Sequence, residues 1–262
     1  MHGVLDEGGV PSGSKRSRWR WRTANATYWL VRHWLQVALG VLAVYALLPF
    51  VAPVAMRLGW ESLGNAIYDV YSTQCHQMAQ RSFFFFGPQV MYNLDELPVT
   101  YSGRLTDTLA LRAFRGNEIL GWKVAWSDRM VYMYGGLLLV GLAYGMRFAK
   151  RSPRPLRLRW VFLLMLPLAL DGLTHLVSDQ SGLAGGFRYH NEWLAQATGM
   201  LLPEGFYRGD KLGTFNSFVR FISGLMFAIG MGGLIFPMID QSMRRNGDVL
   251  GAKLRTESQS VQ

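Results

Sequence analysis

Four polar side chains, Asp171, Thr174, His175 and Ser178, fall in the second half of Trp160–Ser178, a stretch whose first eleven residues carry no charge. Offsets of three, four and seven residues set all four on one helical face. An ionisable group inside an apolar segment of membrane length costs roughly 2.5–3.5 kcal/mol, so it normally faces protein or water and has a partner. Asp171 with His175 one turn on has the make-up of an acid–base pair. Asp171 with an arginine from another segment makes either a structural ion pair that sets helix register, Arg220 being the first candidate, or part of a ligand site. Arg129 and Arg220 both border apolar runs, and guanidinium forks favour carboxylate and phosphate oxygens. Cys75, His76 and His175 are residue types that bind zinc, although no CxxC or HxxxH spacing supports a site. Cys75 beside a histidine also has the elements of an activated thiol, with no GxSxG motif to assist it.

Four long apolar runs must position these residues. The first span is expected at about 35–57, kinked near its far end by Pro49 and Pro53. It reads as a retained span, because the apolar run is too long for a cleaved leader. The second is expected at about 128–148, with Gly141 and Gly145 as a pair of small residues that permits close helix packing. The third is expected at about 160–178 and the fourth at about 215–238. Between the second and third, residues 147–159 hold six basic residues and no acid, which marks a cytoplasmic loop. Both chain ends then lie in the cytoplasm, as a disordered basic tail over 1–28, with Trp19 and Trp21 at the membrane interface, and a polar tail over 239–262. Outer loops cover 58–127 and 179–214. A short interfacial helix is expected near 62–73, and a further one near Leu105–Phe114. Phe83–Phe86 is too short to span and reads as a dip into the interface or a contact with the bundle.

Half of the 262 residues are hydrophobic and 17% are charged, and the apolar residues are gathered into long uncharged runs. That pattern argues for a membrane protein over a soluble core. The formal charge of +10 is carried mostly beside the apolar runs, so it reads as topology rather than as a nucleic-acid surface. One cysteine leaves no intramolecular disulfide. Under this topology Cys75, His76, Arg81, Arg129, Asp171, His175 and Arg220 all fall toward the outer side.

The same residues carry a family resemblance. Cys75-His76-Gln77 followed by Arg81-Ser82-Phe83 resembles the first motif of the integral membrane family catalogued as domain of unknown function 2085. Lys123 to Arg129 with Tyr134-Gly135 resembles its second motif, Pro167 with Asp171-Gly172-Leu173-Thr174 its third, and Arg220 with Gly224 its last. Ser127 departs from it, standing where many relatives have cysteine, and His175 stands where glutamine is common. The resemblance implies a polytopic membrane protein of prokaryotic type and no established activity.

The combined expectation is an all-α membrane protein, a four-transmembrane-helix bundle with a short interfacial helix and two extracytoplasmic loops. Its expected role is binding a polar or anionic head group, whether of a lipid, a quinone or a small solute, in contact with the bilayer and without nucleic acid. A small membrane enzyme acting on a lipid or isoprenoid head group, with zinc as a possible aid, is the alternative. A transporter assembled from several subunits is the third reading.

Overall fold

The computed structural model describes residues 15–99, 105–148 and 151–259. Among them, four helices are long and apolar enough to cross a membrane. The first is α2 (Trp34–Arg57), preceded by α1 (Lys15–Arg32). α2 runs unbroken through Pro49 and Pro53, both of them buried. Next come α3 (Glu61–Ser72), β1 (Ser82–Phe85), α4 (Leu105–Ala113), β2 (Gly116–Asn117) and β3 (Gly121–Ser127). The second span, α5 (Asp128–Phe148), contains a π-helical turn over Val131–Gly135. The third is α6 (Leu158–Asp179). Three short helices follow, α7 (Phe187–His190), α8 (Glu192–Ala197) and α9 (Glu204–Tyr207), before α10 (Phe215–Gln259) supplies the fourth.

The fold is mostly helical but not all-α. Strands β1, β3 and β2 form an antiparallel sheet in that order, with Ser82 opposite Ser127 and Phe84 opposite Lys123. The Phe83–Phe86 run therefore pairs with β3 through β1, and Phe83 and Phe85 also pack on the bundle at Tyr132 and Phe50, the second of the two expected roles. Aromatic residues suit a pleated surface, and Phe84 alternates inward while Phe83 and Phe85 are only partly buried. The segment expected as a loop over 58–127 is instead a folded lobe. Met78, Phe84, Tyr92, Leu94, Leu97 and Leu111 make its core, and Tyr189 reaches in from the 179–214 segment.

α3 forms where the 62–73 helix was expected, but it packs on α2 and β3 and buries Gly64, Ile67, Tyr68 and Tyr71. Leu63 and Val70 stay exposed on its other side. Gly64 is what allows the contact, since a Cβ there would lie 2.5 Å from Met56 Sδ.

The ends of the chain also differ from expectation. A helix occupies 15–32 where a disordered tail was expected, and α10 continues to Gln259 rather than stopping near 238. α1 packs antiparallel along this extension: Gly247 faces Val31 and Arg32, and Gly251 faces Tyr28. Trp19, expected at the membrane interface, is exposed on α1, more than a dozen residues from the start of α2. Residues 1–14 lie outside the described residues. At the root of the extension the buried Asp240 accepts hydrogen bonds from Trp34 Nε1 (3.2 Å), Tyr144 OH (3.0 Å) and Arg244 Nε (2.8 Å). These bonds tie α2 and α5 to α10.

α10 is the central helix. Gly224, Ala228 and Gly232, four residues apart, form one face against Tyr132, Gly136 and Val140 of α5. Gly230, roughly 200° around the helix from Ala228, packs on Leu164 of α6. α5 and α6 thus lie on nearly opposite sides of α10, and α2 packs on the α5 side. The Gly141 and Gly145 pair is used within the chain, against Leu39 and Leu35 of α2.

Candidate functional site

Asp171 is 2% exposed and sits on the one buried stripe of α6, with Val161, His175 and Ser178. Thr174 leaves that stripe and hydrogen-bonds the carbonyl of Leu170 on its own helix (2.7 Å). Each carboxylate oxygen of Asp171 takes one guanidinium: Oδ2 accepts from Arg129 Nη2 at 2.5 Å and Oδ1 from Arg188 Nη2 at 2.8 Å. Arg220 is not its partner, contrary to the pairing expected from the sequence. Arg220 is 1% exposed and donates through Nε to both oxygens of Asp128 (2.9 and 2.8 Å) and through Nη1 to Asp210 Oδ1 (2.8 Å). Its Nη2 also meets the Asp210 carbonyl. The reason is reach along the chain: Asp128 opens α5, and α10 packs against that end of α5.

Arg81 joins the two halves. Its Nε donates to Asp210 Oδ2 at 3.0 Å, and Nη1 and Nη2 hold the two oxygens of Asp179, each at 3.1 Å. Its Nη2 also lies 3.3 Å from His175 Nδ1, while Arg188 Nη2 lies 3.4 Å from His175 Nε2. A neutral imidazole can accept at only one nitrogen. With Nδ1 as acceptor, Nε2–H turns to Asp171 Oδ1, 3.6 Å away.

The surrounding loops hold these groups in place. Ser178 Oγ accepts from the Arg188 backbone N–H (2.9 Å), and the Asn191 and Asn216 side chains both donate to the Arg188 carbonyl (2.7 and 2.6 Å). Asn93, in the lobe, accepts from the backbone N–H groups of Asp210 and Lys211, both at 3.2 Å. Burial alone would raise the Asp210 carboxyl, but Arg81 and Arg220 outweigh it and hold the group well below the usual carboxylate range. Burial likewise opposes the charge on Arg81, and Asp210 and Asp179 more than offset it. For Arg188 burial prevails over Asp171 and lowers the guanidinium.

Four arginines (81, 129, 188, 220) thus face four aspartates (128, 171, 179, 210). The balance is uneven in space. Arg129 and Arg188 share the single charge of Asp171, which leaves one positive charge there. Arg81 and Arg220 divide three carboxylates, which leaves one negative charge at the other end. Arg129 Nε and Arg188 Nε are buried without an acceptor. The Arg129 side chain is still 25% exposed.

Cys75 and His76 do not join this network. Cys75 is buried, with its Sγ 3.4 Å from Ser127 Oγ and 3.4 Å from the Gln77 backbone nitrogen. His76 is exposed on the other side of the chain. Cys75, His76 and His175 therefore do not gather as the zinc reading required. Among the described residues, no group of three His, Cys, Asp or Glu side chains is placed to hold a metal ion. Nearby, the fully buried Lys123 donates to the carbonyls of Gln77 (2.6 Å) and Arg112 (2.8 Å). Burial pushes its ammonium down to about 7; Cys75 opposes the shift, and Arg115 and Arg112 add to it.

Sequence reasoning located Arg81, Arg129, Asp171, His175 and Arg220 but missed Asp179 and Asp210 and gave no role in the site to Asp128 or Arg188. Asp128 and Arg188 stood at a helix start and in the segment between the third and fourth apolar runs, with nothing to mark their partners. Asp210 lies in a glycine-flanked loop, and its one signal is its place ten residues before Arg220.

No protein-family model matches the chain. The chain is similar to an uncharacterized protein of Methanocaldococcus jannaschii, at 41% identity over 61 residues, covering 21% of this chain and 38% of that one. The match therefore spans well under half of the relative's length. No solved structure matches.

Proposed function

We propose that this is a multi-pass membrane protein whose Asp171 end binds an anionic or polar head group. The supporting observation is that Arg129 and Arg188 share one carboxylate and keep buried Nε–H donors without acceptors. A buried donor without a partner costs about 1–3 kcal/mol, and an oxyanion between the two guanidiniums would satisfy these donors and neutralise the surplus charge. Both chain ends and the basic 147–159 loop lie in the cytoplasm in this reading, and the lobe over 58–127 with the 179–214 segment lies outside. Arg81, Asp128, Arg129, Asp171 and Arg220 each come from one of the four motifs noted in the sequence and form one network. Their convergence supports membership of the domain of unknown function 2085 family.

Calorimetric titration of detergent-purified protein with glycerol 3-phosphate tests the site. Binding is expected in the native protein and lost in Arg129→Gln and Arg188→Gln. Equal binding by both variants would remove the basis for this reading. An enzyme acting on the same head group is the second reading. It rests on the 3.6 Å approach of His175 Nε2 to Asp171, and turnover abolished by His175→Gln with binding retained would favour it.

A further inference from the structure

We infer that the ligand of this site is a lipid with a phosphate head group, which enters sideways from the bilayer between α5 and α6. This rests on the head-group reading above and goes further by naming the ligand's class and route. Three observations carry it. α6 packs along α10, and no extended backbone contact joins it to α5 or α2. α5 lies on nearly the opposite face of α10, so the link between the second and third spans at this level is the Arg129–Asp171 ion pair itself. The half-buried Phe227, Met231 and Leu234 of α10, seven, eleven and fourteen residues beyond Arg220 and so on its side of the helix, lie between the α5 and α6 faces, and α6 turns Leu173 and Leu176 outward close to Gly172. Arg129 Nη1 is 3.6 Å from where a Cβ on Gly172 would stand.

A cation with spare donors therefore sits at the head of an apolar groove whose open side faces the space that lipid would fill. A bilayer spanned by α5 from end to end would hold Arg129, the second residue of that helix, at the depth of its head groups. A free anion would satisfy the guanidiniums but leave the groove to bulk lipid. A phosphate carrying acyl or isoprenoid chains would occupy both parts, and each buried methylene adds to its affinity. The surplus of one positive charge favours phosphate over a neutral carbonyl head, and the fork geometry of arginine matches phosphate oxygens.

The test uses the detergent-purified full chain, titrated separately with dioleoyl phosphatidate, dioleoyl phosphatidylcholine and glycerol 3-phosphate. Bound lipid is counted by native mass spectrometry and glycerol 3-phosphate by calorimetry. Phosphatidate is expected to bind at least about tenfold more tightly than either of the others. Arg129→Gln should remove that preference. Leu176→Asn leaves both arginines in place and makes the groove wall polar, so it should weaken phosphatidate while sparing glycerol 3-phosphate. Equal affinity for glycerol 3-phosphate and phosphatidate would keep the site but overturn the lipid and its route. Equal retention of phosphatidylcholine, or phosphatidate binding unchanged in both variants, would mark annular lipid only and overturn the inference. No binding of either phosphate compound would overturn the head-group reading as well.

Discussion

Replacing Arg220 by methionine tests the network most directly. Arg220 is 1% exposed and makes four hydrogen bonds, two to the Asp128 carboxylate, one to the Asp210 carboxylate and one to the Asp210 carbonyl. Methionine fills much of the volume and supplies none of them. Asp210 would keep Arg81, but Asp128 would keep only the Arg129 backbone N–H at 2.7 Å. Removing one partner of a buried pair costs about 3–5 kcal/mol, or two to three and a half orders of magnitude in the folding equilibrium. The assay is reversible unfolding in mixed micelles with rising SDS fraction, followed by tryptophan fluorescence. Asp128→Asn in the Arg220→Met background should then cost much less than in the native protein, with a coupling of about 1–3 kcal/mol. Asp171→Asn should couple to Arg220→Met far more weakly, because Asp171 is held by Arg129 and Arg188. A larger coupling to Asp171 than to Asp128 would refute the assignment and restore the pairing first read from the sequence.

Three further outcomes follow from the packing. Burial brings Lys123 from 10.5 to about 7, so between those pH values the unfolded chain holds a proton that the folded one lacks. Stability should rise with pH across that window by up to about 1.4 kcal/mol per unit and level off below it. Lys123→Met should flatten the slope in melting scans from pH 6.5 to 9.5, and an identical slope in the variant would contradict the assignment. Gly224→Ala would set a Cβ 2.7 Å from Tyr132 Cβ. It should lower stability by about 1–3 kcal/mol through overpacking, measured in the same mixed micelles. Cys75, 9% exposed, should react with a maleimide only slowly until the protein is denatured. Rapid labelling of the folded protein would revive the thiol-nucleophile reading.

The spans were legible because the signal is local. A run of some twenty apolar residues is visible in one window, and the expected boundaries at 35–57, 128–148 and 160–178 match α2, α5 and α6 within about two residues at each end. The fourth was legible only in its apolar half. Beyond Met238 the helix persists because α1 packs along it, and no pattern in either segment announces that pairing. The sheet was missed for the same reason. Phe83–Phe86 finds its partner some forty residues later, and a short aromatic run shows no difference between a strand and a surface patch until that partner is known.

The residue types along the chain, by themselves, determined that Asp171, set inside an apolar run, must meet a counter-charge. Apolar length sets where helices cross, and an isolated charge near a helix end requires a counter-charge. Which arginine meets which aspartate was decided only by the tertiary structure, where shifts of a few ångströms and the rotation of each helix choose among partners of equal chemistry. Packing on opposite sides of α10 gave Arg220 to Asp128 and Asp210 and left Asp171 to Arg129 and Arg188. In the irregular segment after α3, Cys75 turns inward and His76 stays exposed, because side-chain direction follows the backbone fold and not adjacency in the chain.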